Sequence, residues 1–136
     1  HQRDAHDDFL SLLKIFRSDI VGGVVHCFTD TKEALQDYLA LDMYIGITGW
    51  ICDERRGLEL QQAVAEIPLD RLLIETDSPY LLPRSIRPKP KSRRNEPAYL
   101  AEVAKTIALH SHHELEEIAH ATVANAKRLF DLPNFQ

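Results

Sequence analysis

Three side chains in this sequence, His1, His26 and Asp77, are of the types that bind divalent metal ions. His26 stands near the end of one apolar run, Asp77 follows another, and Thr48 ends a third. Imidazole nitrogen and carboxylate oxygen can together hold an ion such as Zn²⁺, Mn²⁺ or Mg²⁺. If His1 also follows a strand, the sequence predicts that three metal ligands converge on one face.

The elements that must position these side chains alternate between two apolar patterns. Helical spacing of apolar residues predicts helices that begin near Asp4, Thr31 and Leu58. Short runs rich in β-branched residues predict buried strands over residues 20–28, 43–48 and 71–76. Because short connections join the elements in this order, we expect an α/β fold with parallel strands. The carboxyl ends of such strands share one edge, where sites form.

The regular alternation stops at Asp77. Residues 77–97 contain five of the seven prolines and are predicted to form a long irregular segment, here called the proline-rich loop. Two helices are expected after it, over residues 98–109 and 111–130, and a capping box from Ser111 to Glu114 would open the second. Pro97 suits the first turn of the earlier helix, and Asn95 is interpreted as its cap.

A second group of side chains suited to binding lies inside the proline-rich loop. Residues 84–94, the basic segment, hold six basic residues and no acid: Arg84, Arg87, Lys89, Lys91, Arg93 and Arg94. Beside the strand ends this patch would contact phosphates, with Arg94 as the preferred contact and Arg84 and Arg87 as further ones. Trp50 or Tyr80 would offer a ring for base stacking. The structural alternative is a solvated surface loop stiffened by proline.

Each predicted metal ligand also has a purely structural interpretation. His1 could reflect only where the sequence begins, His26 could be a histidine satisfied in a core, and Asp77 could start a turn. Glu75 is expected to be a buried partner of a nearby base rather than a ligand, because it points to the face opposite its neighbour on the strand. Spacing alone does not decide between these interpretations.

The composition narrows the class of protein. The 136 residues carry 16 Lys and Arg against 21 Asp and Glu, a formal charge of −5, with 44% hydrophobic and 27% charged residues. This balance is typical of soluble globular proteins, and it argues against a general nucleic-acid coat and a membrane span. Two cysteines without a Cys-x-x-Cys pair indicate a reducing cytoplasm and no thiolate zinc site.

Residues 1–136 are predicted to form a single-domain fragment. Three strands would leave both sheet edges open, the first helix has no strand before it, and neither a Met nor a signal-like segment precedes His1. An eight-stranded α/β barrel needs about 250 residues. We therefore expect this chain to be about the second half of such a barrel.

Four short motifs occur in a fixed order along the chain. They are His1-Gln2-Arg3-Asp4-Ala5, His26-Cys27-Phe28-Thr29, Glu75-Thr76-Asp77-Ser78-Pro79-Tyr80-Leu81 and Arg94-Asn95-Glu96-Pro97. Their order and approximate spacing resemble those of the TatD family of metal-dependent deoxyribonucleases. The likeness covers essentially the whole chain, and residues 44–57 look most like the bacterial branch of that family. Four ordered motifs are a specific signal, whereas one alone would be weak.

The resemblance implies a TIM-like (β/α)8 barrel of the amidohydrolase type, with this chain as its carboxyl-terminal half. It implies hydrolysis of DNA phosphodiester bonds, with exonucleolytic removal of nucleotides from single strands, and a role in DNA repair. One or two divalent ions would be required, Mg²⁺ before Mn²⁺ or Zn²⁺. By position, His1, His26 and Asp77 would be metal ligands, and Asp77 would also orient or deprotonate the attacking water.

One departure from the family pattern limits what this chain could do alone. Family members carry a His-x-His pair on the first strand and a Glu on a middle strand, and this sequence has no counterpart of either. The missing amino-terminal half of the barrel is therefore an expected partner, and the fragment alone is expected to be inactive. Two other functions stay open: a related barrel hydrolase acting on lactones, amides or phosphoesters, and an inactive fragment that only binds nucleic acid.

Overall fold

The computed structural model describes residues 1–133 and contains the predicted alternation of helices and parallel strands. The helices are α1 (His6–Phe16), α2 (Lys32–Ala40), α3 (Leu58–Ala63), α4 (Leu100–His110) and α5 (Leu115–Phe130). The strands are β1 (Val24–Val25), β2 (Tyr44–Ile47) and β3 (Leu72–Ile74). This element order, helix and strand in turn before a closing helix pair, confirms the α/β fold class.

The sheet has the order β1-β2-β3, and both strand pairs are parallel. All four residues of β2 are buried, as expected for a central strand that is covered on both faces. The first strand is shorter than the predicted 20–28, because Val21 is fully solvent-exposed and Cys27 adopts a left-handed backbone conformation at φ 50°. The regular ladder therefore ends directly before His26.

The hydrophobic core lies between the sheet and the helices that cover it. Tyr38 and Leu35 of α2, Ile45 and Ile47 of β2, and Ile118 of α5 are all fully buried. The amphipathic spacing in the sequence places these residues on single faces of their helices. The Thr31 hydroxyl caps α2 by accepting a hydrogen bond from the Ala34 N–H at 3.3 Å, which fixes where this helix begins.

The two closing helices differ from the sequence prediction in how the second one begins. Its capping box is formed by Glu114 and Glu117, not by Ser111 and Glu114, so that prediction was wrong by one turn. Farther along α5, the buried amide of Asn125 donates hydrogen bonds to the Leu69 and Leu72 carbonyl oxygens at 2.7 and 2.8 Å. Asn125 thereby fastens α5 to the amino end of β3.

The proline-rich loop has no helix or strand before Pro97, which confirms its irregular character. Its beginning packs closely on the segment after β2: a Cβ on Gly49 would overlap the Leu81 carbonyl oxygen. Pro97 occupies the first turn of the short 3-10 helix Pro97–Tyr99, as its fixed φ favours. Among residues 1–133, no helix is both long and apolar enough to cross a bilayer.

The absence of a side chain at Gly46 of β2 makes room for the carboxylate of Glu75. A Cβ at this position would overlap that carboxylate and lie 3.2 Å from Val24 Cγ2. Glu75 is held against His26 and cannot move aside freely. We therefore expect Gly46→Ala to lower the free energy of unfolding, measured by urea titration, by about 1–3 kcal/mol.

Gly23→Ala is the matched control for that substitution. A Cβ on Gly23 would lie 2.6 Å from Cε, the far end of the unbranched Met43 side chain, and otherwise within ordinary contact distance of Met43 Sδ and Ile20 Cδ1. Met side chains repack easily, so a clearly smaller decrease is expected. Equal decreases in the two variants would show that the Glu75 carboxylate does not fill the space above Gly46.

Candidate metal and nucleic-acid site

Two of the predicted metal ligands face each other at the carboxyl ends of the sheet. His26 follows β1 and Asp77 follows β3, and His26 Nε2 lies 3.5 Å from Asp77 Oδ1. The ring of His1 lies beside them, with its centroid 5.3 Å from that of His26. About a third of each of the His26 and Asp77 side chains is exposed, at 39% and 34%, so solvent and substrate can reach both.

Glu75 holds the opposite side of the His26 ring. Its Oε2 forms an ion pair with His26 Nδ1 and has no other polar partner within residues 1–133. Burial raises the pKa of the Glu75 carboxyl above its ordinary value, although His26 and the Cys27 N–H act in the opposite direction. Because Nδ1 faces Glu75, Nε2 is the nitrogen presented beside Asp77. This contact confirms the prediction that Glu75 is the partner of a base, but the side chain is half-buried, at 18% exposure, rather than buried.

His1 is tied to the His26 loop through the residue that follows it. Gln2 Nε2 donates a hydrogen bond to Asp30 Oδ2 at 2.8 Å, and Gln2 Oε1 accepts one from the Ala5 N–H at 3.1 Å. These bonds connect the segment before α1 to the loop between β1 and α2. The spacing of the His1 and His26 rings therefore depends on Gln2, which belongs to the first of the four motifs but for which no contact was predicted.

The donor set fits part of a metal shell. Two ligands bound tetrahedrally at about 2.1 Å are about 3.4 Å apart, which agrees with the 3.5 Å between His26 Nε2 and Asp77 Oδ1. Within residues 1–133, however, no group of three or more His, Cys, Asp or Glu side chains is arranged to hold a metal ion. These residues therefore present an imidazole and a carboxylate to one point in space and leave the shell incomplete.

The other polar residues at the strand ends have structural roles. Thr48 is fully buried, and its hydroxyl accepts a hydrogen bond from the Trp50 N–H at 3.4 Å, where the 3-10 helix Gly49–Cys52 begins. Cys27 Sγ contacts the same hydroxyl at 3.4 Å, and burial raises the pKa of this thiol. Neither side chain joins the cluster of His1, His26 and Asp77.

The two aromatic residues predicted to stack on bases lie in different surroundings. The indole of Trp50 is covered on one face by the Arg56 guanidinium at 4.9 Å, and its Nε1 donates to the Arg56 carbonyl oxygen at 3.2 Å. Tyr80, in contrast, is 71% exposed and lies in the turn that follows Asp77. Of the two rings, Tyr80 is the one that a nucleic-acid base could reach without displacing a neighbour.

The basic segment divides into anchored and free side chains. Arg84 donates to Asp53 Oδ2 at 3.1 Å, and Arg87 donates to the Arg84 and Ile86 carbonyl oxygens at 2.8 and 2.9 Å. The remaining four charged groups form no hydrogen bond or ion pair within residues 1–133: Lys89, Lys91, Arg93 and Arg94. Arg84 and Arg87 therefore shape the loop, while the other four remain available to an anion.

Asp53 is the anchor for Arg84, and it is almost completely buried, with 5% of its side chain exposed. Its carboxylate accepts hydrogen bonds from the Arg55 and Arg56 N–H groups at 3.0 and 3.1 Å and from the Arg56 side chain at 3.2 Å. These N–H groups, together with Arg84, hold the pKa of Asp53 well below its ordinary value. No pattern in the sequence indicated this site, because Arg84 lies 31 residues after Asp53.

A groove of about 460 Å³ runs beside Asp77 along the start and end of the proline-rich loop. Its lining consists of Ser78, Pro79, Arg94, Asn95, Glu96 and Pro97. Three of these side chains are polar and unpaired within residues 1–133: the Arg94 guanidinium and the Glu96 carboxylate at the surface, and the buried Ser78 hydroxyl. Arg94 is thus placed where a phosphate next to Asp77 could meet it.

Asn95 does not cap the following helix, so that interpretation was wrong. The residue that precedes the 3-10 helix Pro97–Tyr99 is Glu96, and no side chain caps this turn. The Asn95 amide instead donates hydrogen bonds to the Thr76 and Tyr80 carbonyl oxygens at 2.7 and 2.8 Å. No local pattern indicated this contact, because its partners precede Asn95 by more than a helical turn.

Comparison with known proteins identifies a family for this arrangement. Residues 1–131 match the family model described as TatD related DNase. A curated protein named 3′-5′ ssDNA/RNA exonuclease TatD, from Rahnella sp. (strain Y9602), is 54% identical over 132 residues, which is 97% of this chain. The protein of the same name from Klebsiella pneumoniae (strain 342) is 52% identical over 132 residues, again 97% of this chain and 50% of that relative.

A solved structure gives the same result for the fold. The crystal structure of YJJV, a TatD homologue from Escherichia coli K12, superimposes with a TM-score of 0.84 at 28% sequence identity, over 96% of this chain and 48% of that protein. The chain also covers 50% of the Rahnella relative. It therefore spans about half the length of the curated relatives it matches, which agrees with a partial barrel.

The low pKa of Asp53 predicts how the anchor depends on pH. A carboxyl group whose pKa is lower in the folded than in the unfolded state stabilises the fold above its unfolded pKa, about 3.9, and this stabilisation is lost as the pH falls below it. Asp53→Asn keeps the size and shape of the side chain but removes the charge opposite Arg84 and Arg56. We expect the difference in free energy of unfolding between wild type and Asp53→Asn to be largest at neutral pH and to shrink below about pH 4.

Urea titrations at a series of pH values measure this difference. Asp70→Asn, which removes an exposed carboxylate beside Arg71, is the control and should change the unfolding free energy little at any pH. A gap between wild type and Asp53→Asn that stays constant down to pH 3 would contradict the role assigned to the buried charge.

Proposed function

The chain belongs to the family of TatD-related DNases, and from this membership we propose that it supplies part of the active site of a metal-dependent 3′-5′ exonuclease acting on single-stranded DNA or RNA. The observation that carries the proposal is the pair His26 and Asp77, facing each other at 3.5 Å where two parallel strands end. The name of the relatives, 3′-5′ ssDNA/RNA exonuclease TatD, supports the substrate and the polarity.

His1, His26 and Asp77 are the residues of this chain that would hold the metal. A bound divalent ion lowers the pKa of a coordinated water towards neutrality and stabilises charge on the phosphate oxygens. Asp77 would orient the attacking water and accept its proton, and Glu75 would keep Nε2 of His26 directed at the ion. We expect Mg²⁺ as the ion, one or two per site.

The rest of the metal shell would come from another part of the barrel. Within residues 1–133 the shell is incomplete, and the chain spans about half of its curated relatives. We therefore propose that residues 1–136 are the carboxyl-terminal half of a (β/α)8 barrel. The other half would supply a His-x-His pair and a glutamate, and this chain alone would not cleave DNA.

The substrate would approach along the basic segment. Lys89, Lys91, Arg93 and Arg94 have free charged ends, and Arg94 lines the groove beside Asp77. Phosphates of a single strand would contact these groups, and an end base would stack on the exposed ring of Tyr80. Arg84 and Arg87, which were predicted as further phosphate contacts, would act mainly by shaping the loop. Trp50, which was predicted as a stacking ring, would be less accessible because Arg56 covers one of its faces.

The free cations of the basic segment favour this substrate over those of the related hydrolases. Lactones and amides are neutral, so the four free cations of the basic segment would not attract them. The two cysteines, one buried and one half-buried, are unpaired and agree with a reducing cytoplasm. The proposal therefore extends to a cytoplasmic enzyme, and from the family resemblance it also includes a role in DNA repair.

A labelled oligonucleotide assay tests the proposed activity. The full-length protein should shorten single-stranded DNA from its 3′ end in the presence of Mg²⁺ and stop when EDTA is added. Asp77→Asn should lower the rate by at least about 100-fold, since removal of a proton acceptor costs about 10²–10⁴-fold, while binding is largely kept.

Asp70→Asn is the matched control for charge removal, because Asp70 is exposed at the opposite end of β3. It should leave the rate unchanged. DNA that remains intact with Mg²⁺, or full activity in Asp77→Asn, would contradict the proposed function. Running residues 1–136 alone in the same assay should give no cleavage.

Charge removal in the basic segment tests the proposed path of the substrate. Replacing Lys89, Lys91, Arg93 and Arg94 with Gln should weaken binding of a single strand and reduce the slope of log K against log salt by about 0.7 for each phosphate that is no longer neutralised. Fluorescence anisotropy of a labelled oligonucleotide at several salt concentrations measures this slope. Lys14→Gln with Lys105→Gln, two cations outside the loop, should leave the slope unchanged, and an equal effect would contradict the assignment.

A further inference from the structure

Asn95 is buried although both of its neighbours in sequence are exposed. Only 3% of its surface is accessible, whereas Arg94 and Glu96 project into solvent. Its amide nitrogen donates to two carbonyl oxygens, its Oδ1 accepts from the Glu96 N–H at 2.9 Å, and its own N–H donates to the Pro79 carbonyl oxygen at 3.0 Å. Every polar atom of this amide is therefore engaged with backbone.

The backbone that Asn95 holds is the turn that carries Asp77. Asp77 has φ 58°, a left-handed conformation that is unfavourable for a residue with a side chain unless its surroundings enforce it. Within the turn, the Tyr80 N–H donates to the Asp77 carbonyl oxygen at 2.9 Å. The two carbonyl groups bound by the Asn95 amide, those of Thr76 and Tyr80, lie on either side of Asp77.

We propose that Asn95 is a positioning residue for Asp77. Its amide joins the two sides of the turn, which keeps the Asp77 carboxylate opposite His26 Nε2 and so in place for the metal and the attacking water. The role of Asn95 in catalysis rests on the proposed function. Asn95 would affect the reaction only by orienting Asp77.

The chemistry of the contact is specific for asparagine. Two carbonyl oxygens require two N–H donors on one atom, which aspartate lacks and which glutamine would place one methylene farther away. Aspartate at this position would direct a carboxylate oxygen at two carbonyl oxygens without a proton between them. Asn95→Asp therefore changes two attractive contacts into repulsive ones with almost no change in volume.

Asn125 provides a matched control within the same chain. It is 1% exposed, and its amide also bridges two carbonyl oxygens, those of Leu69 and Leu72, at 2.7 and 2.8 Å. It acts at the amino end of β3, whereas Asn95 acts beyond the carboxyl end of the same strand. The same substitution at the two sites thus separates loss of stability from loss of Asp77 orientation.

The experiment compares Asn95→Asp and Asn125→Asp in the full-length protein. Both should lower the midpoint of thermal unfolding. In the folded protein, Asn95→Asp should weaken Mn²⁺ binding, measured by electron paramagnetic resonance, by about 10–100-fold. It should also lower kcat on single-stranded DNA by about 100-fold, the effect of a misplaced catalytic group, with KM nearly unchanged. Asn125→Asp should leave Mn²⁺ affinity and kcat at their wild-type values.

Asn95→Ala guards against failure of the aspartate variant to fold, because it removes the donors without adding a charge. It should change Mn²⁺ affinity and kcat in the same direction, whereas Arg94→Met should raise KM and leave Mn²⁺ affinity unchanged. Wild-type Mn²⁺ affinity in Asn95→Ala would overturn the inference. A decrease in Mn²⁺ affinity in Asn125→Asp as large as that in Asn95→Asp would also overturn it.

Failure of the proposed function is distinguishable from failure of this inference. If the wild-type protein binds Mn²⁺ but does not shorten DNA, the exonuclease proposal is wrong, and the Mn²⁺ affinity of Asn95→Ala relative to wild type still decides the role of Asn95. A wild-type protein that binds no Mn²⁺ would overturn both.

Discussion

The contact on which the rest of the site depends is the approach of His26 Nε2 to Asp77 Oδ1 at 3.5 Å. Parallel pairing of β1 and β3 with the central strand β2 brings two distant parts of the chain to one edge of the sheet. An imidazole and a carboxylate at this separation either neutralise each other or share a cation. Glu75 already pairs with His26 Nδ1, so two carboxylates, those of Glu75 and Asp77, face one imidazole at this edge. This excess of negative charge favours a bound cation.

The loops at this edge contain almost no regular secondary structure, so polar side chains must hold them. Glu75 fixes the His26 ring, Gln2 ties the His1 segment to Asp30, and Asp53 binds Arg84. Asp53 is buried, and Glu75 and Gln2 are half-buried. Leaving such a group unpaired is unfavourable, by about 1–3 kcal/mol where it is fully buried. The same interactions that prevent this penalty also fix the loop geometry. Stability and preorganisation of the site therefore have a common origin.

Local patterns in the sequence predicted what local physics determines. Apolar periodicity located the helices and the three parallel strands, and strand-end reasoning selected His26 and Asp77, which the structure brings together. Sequence patterns failed where a side chain binds a residue that is distant in sequence. Asn95 resembled a helix cap because asparagine favours the N-cap position and Pro97 suits the first turn that follows, but the amide of Asn95 donates to the Thr76 and Tyr80 carbonyl oxygens. The ion pair of Arg84 with Asp53 was missed for the same reason. Whether His1 completes a metal site stays a prediction.

The division of the basic segment shows how a chain with a formal charge of −5 can present a local cationic surface. Within the basic segment, Asp53 pairs only with Arg84, at the base of the proline-rich loop, and the four cations nearer the end of the loop have no acidic neighbour in the segment. Asp53 is 5% exposed, and the charges of Arg84 and Arg56 offset its own, so little of its charge is left to offset that of the free cations. Under the proposed function, the net negative charge of the rest of the chain would repel nucleic acid, and a single strand would be drawn to the edge where His26 and Asp77 meet.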